Sequence, residues 1–341
     1  MSATDTDVRP VFDHLQRLTD ERGLFEHALY ARPRPEHGYC VDDVARGLVV
    51  VCREPDTDSG LRRLGELYLS FTLAAVLPDG SCHNRMATDG GWRDEGSCGD
   101  WWGRAMWGLG IAAVHAPSDD MRARALEGFR IGARQRSPYS RTMAFAALGA
   151  GELLLRRPGE ESARALLRDS VDTIGGAEAE PAWPWPEPRL TYGNGALVEA
   201  FLLAGTALPD PTILARGLHL LDFLLRVETH EGHLSVTPVG GRGPGEIGPG
   251  YDQQAIEVAS LAEACARAYA INNDPRWLAG VRLAWAWFLG DNDSGTPMFD
   301  PITGAGYDGL EMHGRNLNQG AESTLAVLAT AQCARRLGVA G

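Results

Sequence analysis

A weak sixfold repeat limits how this 341-residue chain can fold more than any other feature of its sequence. Six times, a short polar or glycine-bearing lead-in runs into a helix of small and apolar residues. The segments are YCVDDVARGLVVV from Tyr39, GDWWGRAMWGLGIAA from Gly99 and SPYSRTMAFAALGAGELL from Ser137. They continue with LTYGNGALVEAFLLAG from Leu190, YDQQAIEVASLAEACA from Tyr251 and LNQGAESTLAVLATAQ from Leu317. With Asp42 in the first and Gln319 in the last as equivalent points, the five intervals average about 55 residues, which is room for two helices and two loops.

Between these segments, apolar residues recur at three- and four-residue intervals in 61–77, 123–133, 163–174, 214–227 and 277–289, the spacing of amphipathic helices. Strand-like alternation is scarce, and 233–239 is its best candidate. The pattern predicts an all-α fold, an (α/α)6 toroid of six hairpins in one domain over 1–341. The Ala- and Gly-rich helices form the inner ring and the charged helices the outer ring. Six units closing on themselves need no end caps. Such a ring brings all the polar lead-ins to one mouth, where helix N-termini present unpaired N–H groups and a partial positive potential.

Charge narrows the ligands. A formal net charge of −13 repels phosphate backbones and anionic lipid, so neither nucleic acid nor a membrane surface is an expected partner. No apolar run approaches the roughly 20 residues that span a bilayer. The opening MSATDTDVRP lacks the basic and apolar regions of a secretion leader, and the six cysteines include no C-x-x-C pair. The expected setting is therefore cytoplasmic, with reduced thiols. No recognised ligand spacing, phosphate loop or dinucleotide fingerprint occurs, so neither metal nor cofactor is expected.

The candidate chemistry sits in the lead-ins. Asp42 and Asp43 open the first inner helix one turn before Arg46. Paired carboxyls in a cleft can divide acid and base roles, although a cap and an i,i+3 ion pair would use the same residues. Asp100 precedes Trp101, Trp102 and Arg104, an acid beside flat rings of the kind that stack on a pyranose. The proline-stiffened run AWPWPEPRLTYGN carries Trp185, Glu187, Tyr192 and Asn194. In Gln254-x-x-Glu257 and Gln319-x-x-Glu322 the glutamate stands at the third helical position, the reciprocal half of a capping box. The capping role is favoured for Glu257. Glu322 is favoured as functional because Asp308, His313, Asn318 and Gln319 lie close by in sequence. His37, Tyr251, Asp252 and Gln253 complete the expected substrate contacts.

These motifs resemble a family of bacterial six-hairpin, glycosidase-like proteins, some of them associated with glycosyltransferases and others with mannoside phosphorylases. EHGYCVDDVARGL, GDWWGRAMWGLG, SPYSRTMAF, WPWPEPRLTYGNGAL, YDQQAIEVASLAEA, WFLGDND, FDPITGAGYDGL and NLNQGAESTLA carry the resemblance, from about residue 36 to 325. It implies the same toroid, carbohydrate-related activity with mannosides among the substrates, and a functional association with a glycosyltransferase. It also implies Asp42, Asp43, Asp100, Glu187, Asp252, Asp308 and Glu322 as motif acids. The sequence departs from the family pattern at Gly193, where an acid is expected, and at Pro186 and Pro188.

The leading expectation is an inverting glycoside hydrolase acting on a neutral oligosaccharide. Asp43 or Asp100 would be one partner and Glu187 or Glu322 the other, with carboxyls roughly 6.5–9.5 Å apart to admit a water. A sugar epimerase or isomerase on the same toroid is the alternative and calls for histidine bases, with His37 and His313 nearest the mouth. A lyase would want a basic cleft. A non-catalytic glycan-binding subunit could use the same pocket.

Overall fold

The computed structural model of the chain describes residues 8–175 and 182–339. Among them are twelve α-helices: α1 (Asp13–Arg17), α2 (Val41–Arg53), α3 (Ser59–Ala75), α4 (Asp100–His115), α5 (Asp119–Gly132), α6 (Ser140–Arg156), α7 (Glu161–Ile174), α8 (Asn194–Ala207), α9 (Pro211–Val227), α10 (Ala255–Asn272), α11 (Pro275–Leu289) and α12 (Ala321–Arg336).

The inner ring is α2, α4, α6, α8, α10 and α12, in which each helix packs on the next and α12 returns to α2. α3, α5, α7, α9 and α11 each back the inner helix that precedes them. The short α1 packs against α12, where His14 Nε2 lies 2.9 Å from the Gln319 carbonyl oxygen. The six repeat segments are thus the inner helices, and the expected (α/α)6 toroid is the observed one.

Small residues set the ring's dimensions. A Cβ added at Gly110 of α4 would sit 2.4 Å from the Gly149 carbonyl oxygen, and one at Gly149 of α6 would sit 2.2 Å from that of Met106. Only hydrogen fits in this seam. The seam between α2 and α12 is polar instead: Gln332 Nε2 donates to the Val50 carbonyl at 2.9 Å, and Arg335 reaches Glu54 at 2.6 Å. At the C-terminal ends of the inner helices, Arg53 pairs with Glu263, and Arg267 pairs with Glu152 and, at 3.3 Å, with Glu199. These ion pairs link α2, α6, α8 and α10 across the interior.

Connections differ between the two ends. Those into the outer helices are short, such as 116–118 and 273–274, whereas those into the inner helices, apart from 133–139, are long, such as 228–254 and 290–320. The loops carry four two-stranded antiparallel sheets among the described residues: the hairpins β1 (Ala28–Leu29) with β2 (Arg32–Pro33), β5 (Thr229–His230) with β6 (His233–Leu234), and β7 (Gly309–Glu311) with β8 (Gly314–Asn316), and the long-range pair β3 (Tyr39–Cys40) with β4 (Arg85–Met86). The strand expected over 233–239 shrinks to His233–Leu234. Beyond it, Thr237 turns its N–H and hydroxyl onto the buried Glu228 carboxylate instead of a neighbouring strand.

Gly110→Ala and Gly149→Ala are each expected to destabilise the fold by about 1–3 kcal/mol through overpacking, despite the better helix propensity of alanine. Gly159→Ala, where an added Cβ meets nothing within 4 Å, is the neutral control. Urea midpoints measure all three, and an unchanged midpoint for Gly149→Ala would contradict this packing.

Candidate active site

The inner helices begin differently from the outer ones. α3, α5, α9 and α11 each start on a side chain that accepts from their first-turn N–H groups: Asp58, Ser118, Asp210 and Asp274. None of the six inner helices has such a local cap. Two of those N-termini draw on acids from outside their own helix. Glu257 of α10 accepts from the N–H groups of Gly193 and Asn194 at 2.6 and 3.2 Å, so it caps the neighbouring α8 and not its own helix. Gly193 holds φ +60° there, a conformation that disfavours a side chain. Asp308 Oδ1 accepts from the Gly320 N–H at 2.8 Å and from the Ser323 hydroxyl at 2.6 Å at the start of α12.

These N-termini surround a cavity of about 360 Å³ lined by Asp42, Asp43, Arg46, Asp100, Tyr192, Asp308 and Glu322, with Glu26, His27, Cys40, Gln254 and Ser323 among its other walls. Arg46 crosses the floor, 2.8 Å from Asp43 and 2.6 Å from Glu322. Asp42 lies 3.8 Å from the Nε of Arg104, whose Nη2 donates to the Tyr192 hydroxyl. Thr142 donates its hydroxyl hydrogen to Asp100.

The environments separate the acids. Burial raises the Asp42 carboxyl above its ordinary value despite Arg104 and Arg46. Burial also pushes the Asp43 carboxyl up to about 7, against the pull of Arg46. Glu322 goes the other way: burial opposes its charge, but Arg46 and Arg104 outweigh it and hold the carboxyl below the ordinary range. One cavity thus contains a carboxyl that favours keeping its proton and another held ionised, the division that acid–base chemistry needs.

Of the expected catalytic acids, Asp42, Asp43, Asp100 and Glu322 meet in the cavity and Glu187 does not line it. Glu187 pairs with Arg141 at 2.8 Å, and Arg141 in turn donates to the Tyr192 carbonyl, so Glu187 sits behind the wall. Of the expected substrate contacts, Arg46, Tyr192 and Asp308 line the cavity.

The tryptophans do not. Trp102 is fully buried with Nε1 donating to the Gly80 carbonyl at 3.1 Å, and Trp101 donates to the Cys82 carbonyl at 2.8 Å. Trp185 is buried against Phe223. Large indoles gain more from core burial than from a polar mouth.

Other contacts serve the scaffold. Arg104 is buried beneath the cavity and Asn194 is buried in the α8 cap. Gln253 is buried and donates to the Gly250 carbonyl at 2.9 Å. Tyr251 and Asp252 lie outside the cavity wall, and the Asp252 carbonyl accepts from the Val239 N–H. Asn318 accepts from the Tyr30 N–H at 3.0 Å, and the Gln319 carbonyl holds His14. His313 is exposed at the tip of the β7–β8 hairpin in a separate surface groove. His37 is exposed on the rim with its ring 5.0 Å from that of His27.

Sequence reasoning missed Glu26, His27, Cys40, Gln254 and Ser323. The last three flank residues it did select. Glu26 and His27 come from the N-terminal loop, and nothing in the repeat marks them.

No family model matches the chain, and no curated protein matches it. Solved structures do. A sugar epimerase from a ruminal bacterium superposes with a TM-score of 0.68 at 14% identity, covering 97% of both chains. The cellobiose 2-epimerase of Spirochaeta thermophila gives 0.68 at 13% identity over 96% of this chain and 94% of its own. The cellulase Cel9M of C. cellulolyticum in complex with cellobiose gives 0.62 at 8% identity over 92% and 87%. The chain is similar to each in fold.

Burial, with Glu228 nearby, raises the Glu257 carboxyl from its ordinary 4.5 to about 8. The folded state therefore keeps a proton that the unfolded chain releases, and stability falls as pH rises from about 4.5 to about 8. Glu257→Gln is expected to flatten that part of the profile, read from urea midpoints at pH 5 and pH 8. An unaltered slope would show that Glu257 is ionised throughout.

Proposed function

We propose that this protein is a carbohydrate-active enzyme whose reaction centre is the mouth cavity, and that it hydrolyses a glycosidic bond in a neutral saccharide. The observation that carries this reading is the pairing in one cavity of Asp42, raised by burial, with Glu322, held ionised by two arginines. Asp42 would protonate the departing oxygen and Glu322 would take a proton from the attacking water, with Asp100 and Tyr192 orienting hydroxyl groups. The excess of carboxylates over guanidinium groups around the cavity disfavours acidic sugars.

A second reading, sugar epimerisation or isomerisation, has its own support. His27 lines the cavity, and the two sugar epimerases match this chain over a larger share of their own length than the cellulase does. Among similar structures of known activity, then, the comparisons lean towards the epimerases, whereas the carboxylate chemistry of the cavity favours hydrolysis.

Incubation with a panel of manno- and gluco-oligosaccharides in D2O separates the two. Hydrolysis yields shorter sugars with no carbon-bound deuterium, and Asp42→Asn and Glu322→Gln are each expected to lower turnover by about 100-fold or more. Deuterium on carbon without chain shortening, abolished by His27→Ala, would replace hydrolysis with epimerisation.

A further inference from the structure

Among the described residues, Arg104 is a buried cation with no carboxylate at hydrogen-bond distance. Its side chain is 1% exposed, and its guanidinium stacks 3.8 Å from the centroid of Phe145. Nη2 donates to Tyr192, but Nε and Nη1 have no hydrogen-bond partner among the described residues. Arg46, the other guanidinium of the floor, is already engaged by Asp43 and Glu322. The nearest acid to Arg104 is Asp42, with Oδ1 at 3.8 Å from Nε, too far for a hydrogen bond and close enough to become one with a small side-chain rotation. A buried, half-satisfied charge is destabilising in isolation, so its retention beside a cavity acid calls for a compensating role.

We propose that Arg104 is a positioning residue that acts through Asp42, its unpartnered Nε–H receiving the Asp42 carboxylate as that acid passes its proton to the substrate. The inference rests on the hydrolytic reading. In that step the Asp42 O–H proton moves to the glycosidic oxygen, and the C–O bond breaks with its electron pair left on that oxygen. Water adds to the anomeric carbon and gives a proton to Glu322. Asp42 leaves the step as a carboxylate and Glu322 as an acid, and exchange with solvent resets both. Negative charge thus appears on Asp42 beside the free Nε–H of Arg104, and a hydrogen bond between a guanidinium and a carboxylate is about twice as strong as one between neutral groups. Tyr192 holds the fork in place from the cavity side. Arg46, Arg104, Asp100, Glu322 and, at longer range, Arg85 are the charged groups that face Asp42.

The test follows Asp42 itself. Carboxyl 13C shifts of labelled protein are titrated in wild type, Arg104→Gln and Arg104→Lys, alongside the pH dependence of kcat on an oligosaccharide that wild type cleaves. Arg104→Gln is expected to raise the Asp42 midpoint by about one to three pH units, the usual effect of losing an opposite charge at this range. It should also lower kcat with little change in KM, and Arg104→Lys should restore part of the shift. Should Arg104→Gln fail to fold, Tyr192→Phe frees the fork without removing the charge and is expected to move the midpoint in the same direction by less. An Asp42 titration unmoved in folded variants, with wild-type turnover present, would overturn the role of Arg104 alone. A moved titration with no cleavage of any glycan would instead overturn the hydrolytic reading.

Discussion

Arg46 ties the ring together where it matters. It belongs to the first inner helix and bonds Glu322 of the last, 276 positions away in the chain, while also pairing with Asp43. Closing the toroid therefore builds the floor of the cavity in the same act. The seam between α4 and α6 closes on small residues in close contact, at Gly110 and Gly149, but this seam closes on charge. Buried ion pairs lend little net stability and discriminate strongly between arrangements, so a polar seam is suited to fixing one register of the two helices.

The same economy runs through the mouth. Six helix N-termini without local caps create a demand for acceptors at one end of the barrel, and carboxylates from other segments meet it at two of them. Glu257 and Asp308 are consumed in that way. Asp42, Asp100 and Glu322 sit in the first turns of their helices and remain on the cavity wall. The opposite shifts of Asp42 and Glu322 follow from what lies behind them: Arg46 and Arg104 for Glu322, and for Asp42 a burial that its more distant guanidinium does not offset.

The ring was legible in the sequence because its cause is local and repeated: small residues at helical spacing, preceded by polar lead-ins. The acids at the helix starts were legible for the same reason. What the sequence hid depends on side-chain direction. Trp101, Trp102 and Trp185 read as stacking platforms but turn away from the mouth, since an indole next to an acid in sequence need not share its surface. Glu257 read as a cap for its own helix and serves α8 instead, a contact that only the closed ring creates. His27 could not be found at all, because the N-terminal loop that brings it to the cavity lies outside the repeat.

A crystal structure of the protein soaked with an oligosaccharide tests the shared-cavity account most directly. The account predicts a sugar ring in the mouth cavity with its oxygens in hydrogen-bond range of Asp42 and Glu322. A saccharide bound only on another surface, with those two carboxyls untouched, would contradict it.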